Sequence, residues 1–154
     1  MAVIEDPAGI AGRRGTVYPA PFDAGFEGRC KRALTETLGL TQFGVNLTTL
    51  EPGSMSAQRH WHATEDEFVY VLSGELTLVT NEGARTLLPG MAAGFAAGEP
   101  DGHHLVNRGS APATYLEIGT RRRDDDATYP DIDLVGAKRE GRYSFTRKTG
   151  EPYT

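Results

Sequence analysis

The stretch "HWHATEDEF", residues 60–68, decides how this chain is read. Two of its four histidines stand one residue apart, and acidic residues follow almost at once. On a β-strand, residues i and i+2 project from one face with Cα atoms about 6.5–7 Å apart. His60 and His62 then look to one side, and Arg59 and Trp61 to the other. On a helix the same spacing would separate them by about 200°, so they could not grip a common ligand. The neighbouring residues favour the strand: "AQRHWH" is free of proline and begins just after the turn "PGS". "ATED" makes the next turn, and Glu67 opens the strand "EFVYVL" with Val69 and Val71 on its face. A tight reversal carries Glu67 back over the two imidazoles, a ligand mix suited to a borderline divalent metal.

Strand signals continue outward from that stretch. "TQFGVNLTTL" alternates Phe43, Val45 and Leu47 before the turn "EPG". "EFVYVLSGELTLVTNEGARTLL" reads as two strands joined at Ser73–Gly74 and then a hairpin closing at "NEG". "HHLVN" and "ATYLEIGT" are further strands, and the tail reads as a hairpin around Glu140–Gly141. Residues 30–38 fit either a helical turn or an edge strand. Residues 1–28, rich in Gly, Pro and charge, read as an arm or extended lead-in laid against a partner subunit. The expected organisation is an N-terminal arm over 1–28 and an all-β barrel over 29–154. Its core motifs span 53–107 and its C-terminal hairpin 129–153.

A chain of 154 residues is one domain's worth, and its net charge of −5 argues against nucleic-acid binding. The run "RRRDDD" neutralises itself and is expected to be a solvated turn. One cysteine, Cys30, allows no internal disulfide. No stretch has the apolar length of a membrane helix and no secretory leader is visible, so a cytoplasmic location is the expectation.

The remaining histidines, His103 and His104, are adjacent in "GHHLVN". Neighbouring strand residues face opposite ways, so at most one of them can join His60, His62 and Glu67.

These two windows resemble the paired motifs of the cupins, small antiparallel β-barrels of the jelly-roll or double-stranded β-helix type with a metal at the centre. The first motif maps onto Gly53, His60, His62, Glu67 and Gly74, and the second onto Gly90, Gly98, His103 and Asn107. Ala96 replaces the usual proline, and "EPDG" lengthens the spacing between Gly98 and His103. The resemblance implies metal ligation by His60, His62, Glu67 and His103. A bulge in the second motif would put His104 in place of His103.

Such a set suits Fe(II), Mn(II), Ni(II) or Zn(II) without choosing among them, and leaves coordination positions open for a small molecule. The resemblance implies metal-dependent enzymes of several kinds. With no dedicated base visible for an isomerase, dioxygenase chemistry is favoured over sugar or sugar-phosphate isomerisation. Non-catalytic ligand binding is the other alternative. Glu65 and Asp66 read as solvated turn residues, and Phe68, Tyr70 and Leu72 as packing residues. Gln58 shares the parity of the two histidines. Cupins commonly pair through sheet edges and swapped arms, so a homodimer is expected.

Overall fold

The computed structural model describes residues 1–153. The boundary expected at residue 154 therefore lies one position outside the described chain. Along the sequence run β1 (Arg13–Arg14), β2 (Arg29–Ala33), the helical turn α1 (Leu34–Thr37), β3 (Phe43–Leu50), β4 (Trp61–His62) and β5 (Glu67–Ser73). Then follow β6 (Leu76–Thr80), β7 (Gly83–Leu87), β8 (Ala92–Phe95), β9 (His104–Val106) and β10 (Ala113–Thr120). The tail supplies β11 (Asp125–Thr128), β12 (Val135–Arg139) and β13 (Arg142–Thr146). The 30–38 segment is a strand that turns into one helical turn, closed by Gly39 at positive φ; the strand is not an edge, because β1 pairs on its outer side.

All strand pairs are antiparallel. One sheet runs β1-β2-β3-β10-β5-β8, another β13-β12-β11-β4, and a third β7-β6-β9. The last two are joined where His60 and His103 bridge, His60 N donating to His103 O (3.2 Å) and His103 N to His60 O (2.9 Å). The result is an all-β barrel of two facing layers, as expected.

β5 and β6 are consecutive but belong to opposite layers, so the chain changes sheet at Ser73–Gly74. Only glycine serves there. Gly74 has φ +75°, and a Cβ would stand 2.6 Å from the Pro112 carbonyl oxygen and 2.7 Å from Ala113 Cα. β4 and β5 are likewise not a hairpin: β4 pairs with β11, and β5 with β10 and β8. Glu67 thus reaches His60 and His62 across the barrel interior, because closing two layers on each other aims their inner faces at one space.

Two apolar clusters flank that space. Leu50, Val69, Val71, Leu76, Leu78, Leu105 and Tyr115 close one end. Ala127, Tyr129 and Leu134 form the other, with Tyr18 and Phe22 of the arm packed on them. The arm therefore lies on its own barrel. Phe68, Tyr70 and Leu72 face outward instead of into the core, since alternation along β5 gives the interior to Val69 and Val71.

Candidate metal centre

His60 and His62 emerge on one face of the short β4 segment, held from one side by β11 through the Ala127–His62 pair. Glu67 begins β5 opposite Gly119 and Phe95. His103 is carried by its bridge to His60. These four sequence-predicted residues come together inside the barrel. Nε2 of His60 lies 3.1 Å from Nε2 of His62. Each also lies 3.7 Å from a Glu67 carboxylate oxygen. His103 Nε2 lies 2.6 Å from Glu67 Oε2. His104 points elsewhere, its Nδ1 donating to the Ala57 carbonyl (2.8 Å).

The opposite nitrogen of each ring is already engaged. His60 Nδ1 donates to Gln58 O (2.8 Å), His62 Nδ1 to Asp125 Oδ2 (2.5 Å) and His103 Nδ1 to Asp101 O (3.3 Å). With Nδ1 protonated, neutral His60 and His62 present bare Nε2 lone pairs, whereas His103 Nε2 meets Glu67 Oε2 in a hydrogen bond. Two such lone pairs 3.1 Å apart, beside a carboxylate, repel unless a positive charge stands among them. Ligand atoms sharing an ion at about 2.0–2.1 Å are themselves about 3.0–3.4 Å apart, the spacing seen between His60 and His62. The donor set therefore fits a divalent cation. His60, His62 and Glu67 form the tight trio, with their ligand atoms within 4.8 Å of one another, and His103 joins through Glu67.

The electrostatics follow from burial and mutual charge. Burial drives the His60 imidazole down to about 4, against the pull of Glu67. His62 is also disfavoured by burial, but its bond to Asp125 and the Glu67 charge outweigh that and leave it raised. Burial would raise Glu67, yet the His103 hydrogen bond and the surrounding imidazoles hold it well below the usual carboxylate range. Stacking adds rigidity: Phe95 covers His103 (3.6 Å, 5°), and Tyr129 lies over His60 (5.7 Å, 29°).

Several residues depart from expectation. Asp125, inside the run read as a solvated turn, is 2% exposed and orients His62 while accepting from Thr64 N (2.8 Å). The alternation of Asp125, Ala127 and Tyr129 was the available signal, masked by the arginines before it. Glu65 is also buried, ion-paired to Lys138 and accepting from Arg122 N (2.7 Å). Gln58 ties down the arm by donating to Phe22 O (3.0 Å). Asn107 is fully buried and braces its loop through Leu50 O and Ala111 O, both 2.8 Å away.

The centre opens into a cavity of about 830 Å³. On its inner wall Lys31 and Glu117 form an ion pair at 2.5 Å, with the Tyr115 hydroxyl 3.4 Å from Glu117. Burial alone would raise Glu117, but Lys31 lowers it, so the group is ionised at neutral pH. This carboxylate was not legible beforehand because its partner lies on β2, two strands away in the sheet.

The family model described as a cupin domain matches residues 46–119. The chain is similar to a solved sugar phosphate isomerase from a cupin superfamily of Silicibacter pomeroyi. They share 46% identity over 97% of this chain and 95% of that one, with a TM-score of 0.92. It also resembles a proposed sugar phosphate isomerase from Acidithiobacillus ferrooxidans (26% identity, 97% and 92% coverage, TM-score 0.82). A polyketide cyclase from Streptomyces resistomycificus shares the fold (23% identity, 78% and 80% coverage, TM-score 0.63). No curated protein matches the chain. With nearly its whole length aligned to a cupin at that identity, this chain belongs to the cupin superfamily.

Proposed function

We propose that this protein is a metal-dependent isomerase acting on a phosphorylated sugar, with His60, His62, Glu67 and His103 as ligands of one divalent ion. The observation that carries the reading is an ionised Glu117, held by Lys31, on the wall of the cavity into which the four-residue centre opens. Its presence removes the reason for preferring dioxygen chemistry, which was the lack of a base. The likeness to the Silicibacter pomeroyi isomerase supports the same choice.

A bound divalent ion would polarise a carbonyl and hold an adjacent hydroxyl oxygen. The chain's own groups do the rest. Glu117 takes the proton from the carbon beside the carbonyl and returns it to the neighbouring carbon, while the hydroxyl proton passes between the two oxygens. Atoms and charge balance with no outside oxidant. Lys31 keeps Glu117 ionised between turnovers, and Phe95 and Tyr129 shield the imidazoles from water.

The test is deuterium exchange. Metal-loaded protein is incubated in D2O with a panel of aldose and ketose phosphates and followed by proton NMR. Exchange at the carbon next to the carbonyl is expected, slowed by about 10²–10⁴-fold in Glu117→Gln. Oxygen uptake with catechols or enols, and no exchange with any sugar phosphate, would contradict the reading.

For assembly we propose a homodimer through the outer face of the six-stranded sheet. Phe43, Phe68, Tyr70 and Leu72 are each 38–44% exposed there. Leu116 and Ile118 of β10 lie between them in register. A contiguous apolar face of this kind marks an interaction surface.

A further inference from the structure

The inner wall of the cavity carries more positive charge than it uses. Arg29, Lys31 and Arg13 share one face, since β1 pairs Arg13 with Lys31 and Arg29 lies two residues along the same strand. All three line the cavity. Lys31 is neutralised by Glu117. Among the described residues, Arg13 and Arg29 have no carboxylate oxygen within 4.0 Å.

Arg29 is the more telling of the two. Its only hydrogen bond among the described residues runs from Nη1 to Gly15 O (2.8 Å). Its Nε is buried without a partner. The other buried side-chain polar atom in that condition is Thr48 Oγ1, on the neighbouring strand opposite Lys31. Of the two residues, Arg29 lines the cavity and Thr48 is fully buried. A half-buried guanidinium with an idle buried donor, sharing with Lys31 the single charge of Glu117, is completed by an added anion. The fork of a guanidinium matches phosphate oxygens, and two unpaired cations match the charge of a phosphate monoester dianion.

The position also fits a substrate with two ends. Arg29 lies on β2 and Glu67 on β5, three strands apart in one sheet and offset in register as well, Arg29 being level with Ala113 and Glu67 with Gly119 of β10. Both residues line the same cavity. A ligand that spans it needs an anionic group several bonds away from its metal-facing oxygens.

We infer that Arg29, with Arg13 and Lys31, is the receiving site for the phosphate of a phosphate-ester substrate, at the arm side of the cavity. The sugar part of that substrate rests on the isomerase reading above; the anion site does not. The arm then has a role in binding, because Gly15 aims the guanidinium and Arg13 adds charge.

The probe is inorganic phosphate, titrated calorimetrically into the full-length chain as purified and into variants whose circular dichroism is unchanged. Binding is expected that weakens about tenfold or more in Arg29→Gln and partly recovers in Arg29→Lys. Binding should persist in His60→Ala and in Arg121→Gln, an exposed arginine paired with Glu36. The site is overturned if wild type does not bind phosphate, if Arg29→Gln and Arg29→Lys bind it as wild type does, or if His60→Ala abolishes it. Phosphate binding as expected, with no deuterium exchange on any sugar phosphate, keeps the site and removes the isomerase reading. Exchange that survives while Arg29→Gln leaves phosphate binding untouched does the reverse.

Discussion

At the scale of single residues, His62 depends on Asp125. The carboxylate fixes the ring, keeps the proton on Nδ1 and leaves Nε2 for a ligand. Burial would raise Asp125, but bonds from His62 and Thr64 bring it down to about 2, so it is charged at all working pH values. Asp125→Asn should weaken metal binding by about 10–100-fold, as measured by chelator competition. The acid limit of metal retention should shift as well, because the Asp125 bond, together with the Glu67 charge, raises the His62 proton affinity. Unchanged affinity and an unchanged limit would remove Asp125 from the centre.

His60 gives a second test. Its folded-state value of about 4 lies below the usual 6.5, so below pH 6.5 the unfolded chain takes up a proton that the folded chain refuses. Metal-free protein should therefore lose stability as pH falls from about 6.5 towards about 4. His62, being raised, contributes with the opposite sign: its stabilisation is present below pH 6.5 and fades as pH rises through its folded value. Urea midpoints at pH 7, 5.5 and 4.5 in wild type and His60→Gln check this. Equal slopes in the two would contradict it. The i, i+2 histidines and Glu67 were legible because strand alternation is a local rule. Asp125 and Glu117 were not, since each acts through a partner brought near only by sheet pairing.

At the scale of elements, strands and turns read well wherever apolar residues alternate. "ATYLEIGT" became β10 without a residue to spare, and the hairpin at Asn81–Gly83 closed as expected. Which strands would pair did not read, because pairing is decided by distant segments: β10 lies between β3 and β5, far from it in sequence. The arm was the least legible part. Tyr18 and Phe26 lie 5.5 Å apart, and Tyr18 meets Tyr129 edge-on at 5.6 Å. Phe26 is fully buried, so the arm is part of the core. Phe26→Ala should cost about 3–5 kcal/mol in urea unfolding. A cost near zero would show the arm to be dispensable packing.

At the scale of the molecule, the net charge of −5 coexists with unpaired cations on one cavity wall, a polarity that draws an anion inward. None of the described helices is long and apolar enough to cross a membrane. The outer sheet face should pair with a second copy. Sedimentation at micromolar concentration is expected to give a dimer, and Phe68→Lys with Tyr70→Asp a monomer of unchanged fold. A monomeric wild type would refute that face as the interface.

A single cation held by His60, His62, Glu67 and His103 should be visible in a crystal measured at metal absorption edges. One anomalous peak is expected, about 2.0–2.1 Å from Nε2 of each of the three histidines and bonded to a Glu67 oxygen. A fully metal-supplemented crystal with no peak there, or with the ion on His104, would contradict it.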